Sequence, residues 1–261
     1  MSLMAGKDFL ASRRREPEWM DSPDVDPAML DDGLRFIRRV NNWLGYTRAT
    51  LSVMERFSRA WRAGDTIRVI DLATGSADVP VALADWARRR GFVLEIVGVD
   101  LHEHTCAIAR GRTRGCPGVR IIRADVLTDL PFDPGSFDYA ISSMFLHHLD
   151  DDQIVRVLRL MDRLARRGIL VADLLRRRRA YRWIRLLTLA SNPMLRHDAC
   201  VSVAQALSEA EVLELAGRAE LPYLRYTEHF GHRFVLAGEK LGRRAGQEEQ
   251  RERETTAVVP A

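Results

Sequence analysis

Two acids, each at the end of a short apolar run, constrain this chain most. The run Val69-Ile70-Asp71-Leu72 leads into Ala73-Thr74-Gly75-Ser76-Ala77-Asp78, a turn of small residues that opens a helix. One strand–helix unit later, Leu94-Glu95-Ile96-Val97-Gly98-Val99 ends in Asp100. An open parallel sheet binds its ligands just beyond the carboxyl ends of its strands. The pattern therefore predicts an α/β fold with a nucleoside site at these two turns. Small residues let the backbone approach the ligand, and an acid after the second strand accepts hydrogen bonds from ribose hydroxyls.

The spacing of the small residues narrows the nucleoside. A dinucleotide fingerprint reads G-x-G-x-x-G and aims a helix N-terminus at a pyrophosphate. Here Ala73, Gly75 and Ala77 recur at every second position, and Asp78 occupies the first helical turn. An acid there repels phosphate and suits a cationic ligand.

Beyond this unit the chain alternates. Strands are expected near 67–72, 94–99, 119–124, 137–142 and 168–174, and helices near 77–90, 103–113 and 151–165. Such alternation implies βαβ units and a parallel sheet. A helical stretch at 178–191, a loop around Pro193 and His197, and a helix near 208–219 capped by Ser208 with Glu211 follow. Two runs separated only by His229-Phe230-Gly231 read as a closing antiparallel hairpin. The expected organisation is a flexible lead-in at 1–26, a helical cap at 27–65 that Gly45 breaks in two, a core at 66–240 with a covering insertion at 176–207, and a disordered tail at 241–261.

Other classes fit less well. No stretch approaches the ~20 apolar residues of a membrane span. Cys106, Cys116 and Cys200 have no metal-ligand spacing, so no metal centre is expected, and an odd cysteine count without a leader suits a reducing cytoplasm. The net charge of +4 rests almost wholly on arginine, in clusters scattered near element ends and without an aromatic platform for single strands. No nucleic-acid partner is expected.

The pattern D-x-A-x-G-x-A-D at Asp71–Asp78 resembles the first motif of class I S-adenosylmethionine-dependent methyltransferases. Ala124-Asp125-Val126, Leu130-Pro131-Phe132 with Ser136-Phe137-Asp138, and Leu146-His147-His148-Leu149 extend the likeness to the type 11 and quinone-methyltransferase branch over about 66–240. The resemblance implies a Rossmann-like seven-stranded sheet with its last strand antiparallel, covered by helical lid segments. It implies S-adenosylmethionine as cofactor and S-adenosylhomocysteine as product. It assigns Asp71, Ala73, Thr74, Gly75, Ala77 and Asp78 to the methionine portion, Asp100 to the ribose, Leu101 to the adenine face, Asp125 and Val126 to the adenine edge, and Ser142 to the ligand's neighbourhood. Arg48, in the cap, is a candidate partner for the cofactor carboxylate, since guanidinium matches carboxylate bidentately.

Histidine is the candidate general base, because its pKa lies near working pH. His147 and His148 follow the fourth strand, and the more individual pair His197-Asp198 lies in the covering insertion. One histidine of the 147–148 pair is as well explained by packing. The apolar covering segments suggest a small lipophilic acceptor, aromatic or polyketide-like, with oxygen favoured slightly over carbon as target. Quinone relatives usually carry Asn and Arg where this chain has Leu146-His147-His148. Nucleic-acid or protein methylation and non-catalytic cofactor binding are the alternatives. Arg176 to Arg179 with Arg182 and Arg185, beside Tyr181, Trp183, Ile184, Leu186 and Leu187, also suits peripheral membrane contact through 176–187.

Overall fold

A computed structural model describes residues 10, 12–22, 25–43, 45–128 and 130–240. Its centre is a seven-stranded sheet in the order β3-β2-β1-β4-β5-β7-β6. The strands are β1 (Thr66–Leu72), β2 (Val93–Asp100), β3 (Val119–Arg123), β4 (Phe137–Ser143), β5 (Ala165–Leu174), β6 (Arg225–His229) and β7 (Arg233–Glu239). The first five are parallel, and β7 runs antiparallel to both β5 and β6. The chain winds outward through β2 and β3, then returns to lay β4 on the other side of β1. That reversal opens a crevice between the carboxyl ends of β1 and β4, where a sheet of this kind takes a ligand.

Both faces of the sheet are covered, so the strands are buried runs rather than alternating ones. Ile70, Leu72, Val171 and Phe234 pack with α5 (Asp151–Leu164) and α8 (Glu209–Arg218). Ile67, Val69, Tyr139 and Ile141 pack with α2 (Tyr46–Phe57) and α3 (Asp78–Arg90). Against β3 lies α4 (Glu103–Thr113), through Cys106 and Ala109. Capping boxes start α5, from Asp150 with Gln153, and α8, from Ser208 with Glu211. Each satisfies two backbone donors that a helix start leaves orphaned.

Three sequence expectations change. The stretch read as a loop is helix α7 (Pro193–Gln205), started by Asn192, whose side chain accepts from the Leu195 N–H, with Pro193 in the first turn. Met194, Leu195, Val201, Val203 and Ala204 are buried around much of its circumference, so no single apolar stripe announces it. The cap divides in function. α1 (Pro27–Trp43) and α6 (Arg178–Leu187), with α7, cover the crevice, whereas α2 sits in the core through Val53, Met54 and Phe57. The described part of the lead-in is docked, not loose. Arg13 donates to the carbonyls of Leu146 (2.9 Å), Leu149 (2.6 Å) and Gln205 (2.7 Å), and pairs with Asp151 at 3.0 Å. A guanidinium's fixed fork of donors suits such a cluster of carbonyls. The expected tail at 241–261 lies outside the described residues. Among those residues no helix is long and apolar enough to cross a membrane.

Candidate active site

The turn after β1 explains the two-residue spacing of small side chains. Ala73 (φ 58°), Gly75 (φ 55°) and Ala77 (φ 58°) all adopt the left-handed conformation. Bulky or β-branched residues are disfavoured there. The turn is held from beneath by the Thr74 N–H, which donates to the Val99 carbonyl at 2.9 Å. Thr74 Oγ1 donates to Asp71 Oδ2 at 2.6 Å, and the Gly75 N–H to Asp100 Oδ2 at 2.8 Å. A side chain at position 98 would collide with this floor: a Cβ there would stand 2.9 Å from Thr74 Oγ1 and 2.8 Å from Ile121 Cδ1.

Both strand-end acids are buried and face the crevice. Burial pushes the Asp71 carboxyl up to about 7, against the Thr74 hydrogen bond that favours the charged form. Its Oδ1 has no hydrogen-bond partner. Burial also raises the Asp100 carboxyl, offset in part by the N–H groups of Gly75 and His102. An orphaned, buried carboxylate oxygen is expensive unless a ligand completes it.

Most of the other sequence candidates join them. Ala73, Thr74, Gly75, Leu101, Asp125 and Val126 line the same cavity, and Asp125 also caps its own turn by accepting from the Leu127 N–H at 2.8 Å. Four candidates are placed differently from expectation. Ser142 turns to the Leu72 carbonyl (3.0 Å), and its strand neighbour Ser143 lines the cavity instead, because successive side chains point to opposite faces. Ala77 is fully buried against Cys106 and Ala109, and Ser76 takes the lining position. Asp78 reaches the cavity, but its carboxylate is paired with Arg112 and accepts from Ser76 Oγ, so its charge is already answered. Arg48 is exposed and is not among the cavity's residues. The buried cation on the wall is Arg233, whose guanidinium lies 4.9 Å over the Tyr46 ring. A lone arginine inside an otherwise apolar strand was its sequence signal.

The crevice is about 1040 Å³ in volume. That is the upper end of ordinary ligand pockets, about 300–1,000 Å³, and leaves space for a second molecule beside a nucleoside. Leu34, Ile37 and Val40 of α1 and Trp183 and Ile184 of α6 make its outer wall apolar. Glu18, His147 and His148 form a polar patch in the crevice. His147 is buried, with Nδ1 2.7 Å from Asp173 Oδ1 and its backbone N–H on Asp173 Oδ2 at 3.1 Å. Burial alone would raise the Asp173 carboxyl; the charge and hydrogen bond of His147 outweigh it and hold it low. The His148 ring lies 4.3 Å from that of His147. Glu18 stands opposite, only 4% exposed, with Oε1 3.9 Å from His147 Nε2.

His197 lies outside this patch. It stacks on Trp19 at 4.2 Å and bonds Asp198 at 2.9 Å, and it is not among the lining residues. Asp198 does line the cavity, and its oxygens accept from the N–H groups of Trp19 (2.8 Å) and Met20 (3.0 Å). The pair read as base and partner thus serves to seat the 3-10 turn at Trp19–Asp21. Sequence reasoning missed Glu18 and Asp173, because nothing in their local pattern ties them to residues 147–148.

Comparison with known proteins matches this architecture. A methyltransferase-domain family model covers residues 69–168. The demethylmenaquinone methyltransferase of Staphylococcus carnosus is 28% identical over 101 residues, 39% of this chain and 39% of that protein. The chain thus matches about two-fifths of the length of its curated relatives. A SAM-dependent methyltransferase from Aquifex aeolicus shares the fold at a TM-score of 0.59 and 15% identity, over 83% of this chain and 99% of that one. The CurJ carbon methyltransferase does so at 0.62 and 12%, over 83% and 61%. Residues 69–168 form a methyltransferase domain, on the fold of S-adenosylmethionine-dependent methyltransferases. The residues of the crevice fit S-adenosylmethionine, the cofactor of the Aquifex protein's class. Asp100 offers a buried acceptor to ribose hydroxyls, Asp71 an uncompleted oxygen to an ammonium, and Leu101 an exposed apolar face.

Proposed function

We propose that this protein transfers a methyl group from S-adenosylmethionine to a hydroxyl of a small, lipophilic acceptor of aromatic or polyketide-like structure. The observation that carries this reading is the contrast inside the cavity between the apolar walls of α1 and α6 and the polar cluster of Glu18, His147 and His148. When bound, the cofactor supplies an electrophilic methyl carried on a sulfonium. Asp71, Asp100 and Leu101 would fix its position. The walls from α1 and α6 would exclude water from the acceptor, and alignment of this kind contributes much of the rate in such displacements. The acceptor's hydroxyl would lose its proton at the polar patch.

Ring-carbon methylation is the second reading, favoured by the names of a quinone relative and a carbon methyltransferase of the same fold. Incubation with methyl-labelled S-adenosylmethionine and a panel of phenols, naphthols and polyketide lactones decides between them. O-methyl products are expected; C-methyl products would replace the oxygen reading, and label found only in added tRNA or duplex would overturn both.

We also propose that the chamber's mouth receives its acceptor at a lipid surface. Trp183 (59% exposed) and Leu186 (58%) on α6 project from the fold, as does Phe230 (81%) on the β6–β7 turn. Trp183 and Phe230 also line the cavity, and Arg178, Arg179 and Arg182 stand exposed beside them. Basic helices with exposed aromatics bind anionic interfaces. Co-sedimentation with anionic vesicles that is lost when Arg178, Arg179 and Arg182 become Glu is the expected result; no sedimentation at low salt would refute it.

A further inference from the structure

We propose that Glu18, His147 and His148 form a binding site for a divalent transition-metal ion, of the zinc or ferrous class, at the polar end of the chamber. The proposal rests on the methyl-transfer reading only for its role; the site itself stands on geometry. One ligand atom from each residue lies within 4.8 Å of the other two. Zinc binds His nitrogen at about 2.0–2.1 Å and carboxylate oxygen at about 2.0–2.2 Å, so tetrahedral ligands stand about 3.4 Å apart. Glu18 Oε1 and His147 Nε2, at 3.9 Å, are close to that separation already. Rotamer adjustment on the order of an ångström would close the set around one ion.

The donor set is selective. Two imidazoles and one carboxylate suit zinc, iron, cobalt or nickel, whereas magnesium and calcium favour oxygen-only shells. Three protein ligands leave positions open to a further molecule, as at metal sites that do chemistry. All three residues line the chamber, so those positions face the acceptor.

A second feature points the same way: two of the ligands are already held in place by a neighbouring side chain. Asp173 Oδ1 takes His147 Nδ1 at 2.7 Å, which leaves Nε2 with its lone pair toward Glu18 and His148. Ser202 Oγ donates at 2.6 Å to Glu18 Oε1, the same oxygen that faces His147, and so fixes where that oxygen points. Partners of this kind orient metal ligands and set the imidazole tautomer. A His–Asp pair acting alone accounts for Asp173. It does not account for a second imidazole, His148, nor for a second buried carboxylate, Glu18, brought beside His147 from 129 positions upstream.

The ion would bind the acceptor's hydroxyl oxygen and favour its deprotonated form. The O–H bond breaks, its electron pair stays on oxygen, and the proton passes to buffer. Acceptors with a carbonyl or second hydroxyl beside the reacting one would bind best, because two open positions can be filled at once.

The test uses the full chain, stripped with chelator and titrated with Zn²⁺ by calorimetry and with Co²⁺ by visible absorbance. Binding of one ion per chain is expected. Glu18→Gln and His148→Asn should each weaken it at least tenfold, and Asp173→Asn by about 10–100-fold, the usual effect of losing an outer partner. Binding of S-adenosylhomocysteine, measured on the same samples, should survive Glu18→Gln and His148→Asn and so report that they fold. No saturable Zn²⁺ or Co²⁺ binding, or binding that both ligand variants retain in full, overturns the site. Metal binding without cofactor binding would instead overturn the methyl-transfer reading and leave the site standing.

Discussion

The two ends of the sheet treat buried aspartates in opposite ways. At the amino end, Asp138 of β4 is fully buried and fully answered: the Arg68 N–H donates to it at 2.9 Å, and Arg166 Nε and Arg167 Nε stand at 2.8 and 2.7 Å. At the carboxyl end, Asp71 of β1 is just as buried, yet one oxygen has only Thr74 and the other has none. The strands are neighbours, so solvent exposure does not separate the two acids. What separates them is who completes the shell. An acid completed by the chain contributes to stability, and one left incomplete is set aside for a ligand at a cost in stability.

The largest effect that could break this contrast is in folding. Asp138→Ala should lower the unfolding free energy by about 3 kcal/mol, since it strands a buried N–H and two arginines. Urea denaturation measures it, and cofactor affinity of the folded fraction should not move. Asp71→Asn should show the reverse at pH 8, with no loss of stability and weakened cofactor binding. If both variants lose stability alike, the contrast fails.

Asp100→Ala comes next. It should weaken S-adenosylhomocysteine by about 1–3 kcal/mol, the cost of losing a charged acceptor, as read by calorimetry.

A smaller effect follows from the raised Asp71 carboxyl, at about 7 in the free protein. The folded chain holds this proton more tightly than the unfolded chain. Stability is therefore lost as pH rises from the unfolded value of about 3.9 toward 7, and then levels off. A ligand that needs the carboxylate shows the opposite slope. Its affinity should rise by up to about tenfold per pH unit below 7 and flatten above it. Asp71→Asn should remove the slope; a slope that persists would place the titrating group elsewhere. Last, Arg48→Ala should leave cofactor affinity within error, and a tenfold loss would return Arg48 to the site.

How much of this was legible depended on whether the cause was local. Strand ends, the small-residue turn and the Ser208–Glu211 capping box announce themselves within a few residues, and Asp100, Leu101, Asp125 and Val126, which the resemblance assigns to the cofactor, line the chamber. Ser142 was misplaced by a single strand position, which reverses the face. α7 was hidden because burial around it erases the helical stripe. Arg48 looked plausible because a carboxylate calls for a cation, but Arg233 arrives from the last strand, beyond the reach of any spacing rule. Glu18 was the least legible: the polar patch exists only after Arg13 has fastened residues 13–20 to carbonyls more than a hundred positions downstream.

That fastening dictates an order of assembly. The bonds of the cofactor floor join residues 74 and 75 to residues 99 and 100, whereas Arg13 closes on Gln205 across 192 positions and Trp19 on Asp198 across 179. Long closures form late because their chain entropy is lost before their contacts are gained. During synthesis the Glu18 segment must therefore wait, undocked, until α7 has left the ribosome. A chain halted before Pro193 would own a nucleoside cradle and no chamber, able to hold a reactive methyl donor with nothing yet to direct it.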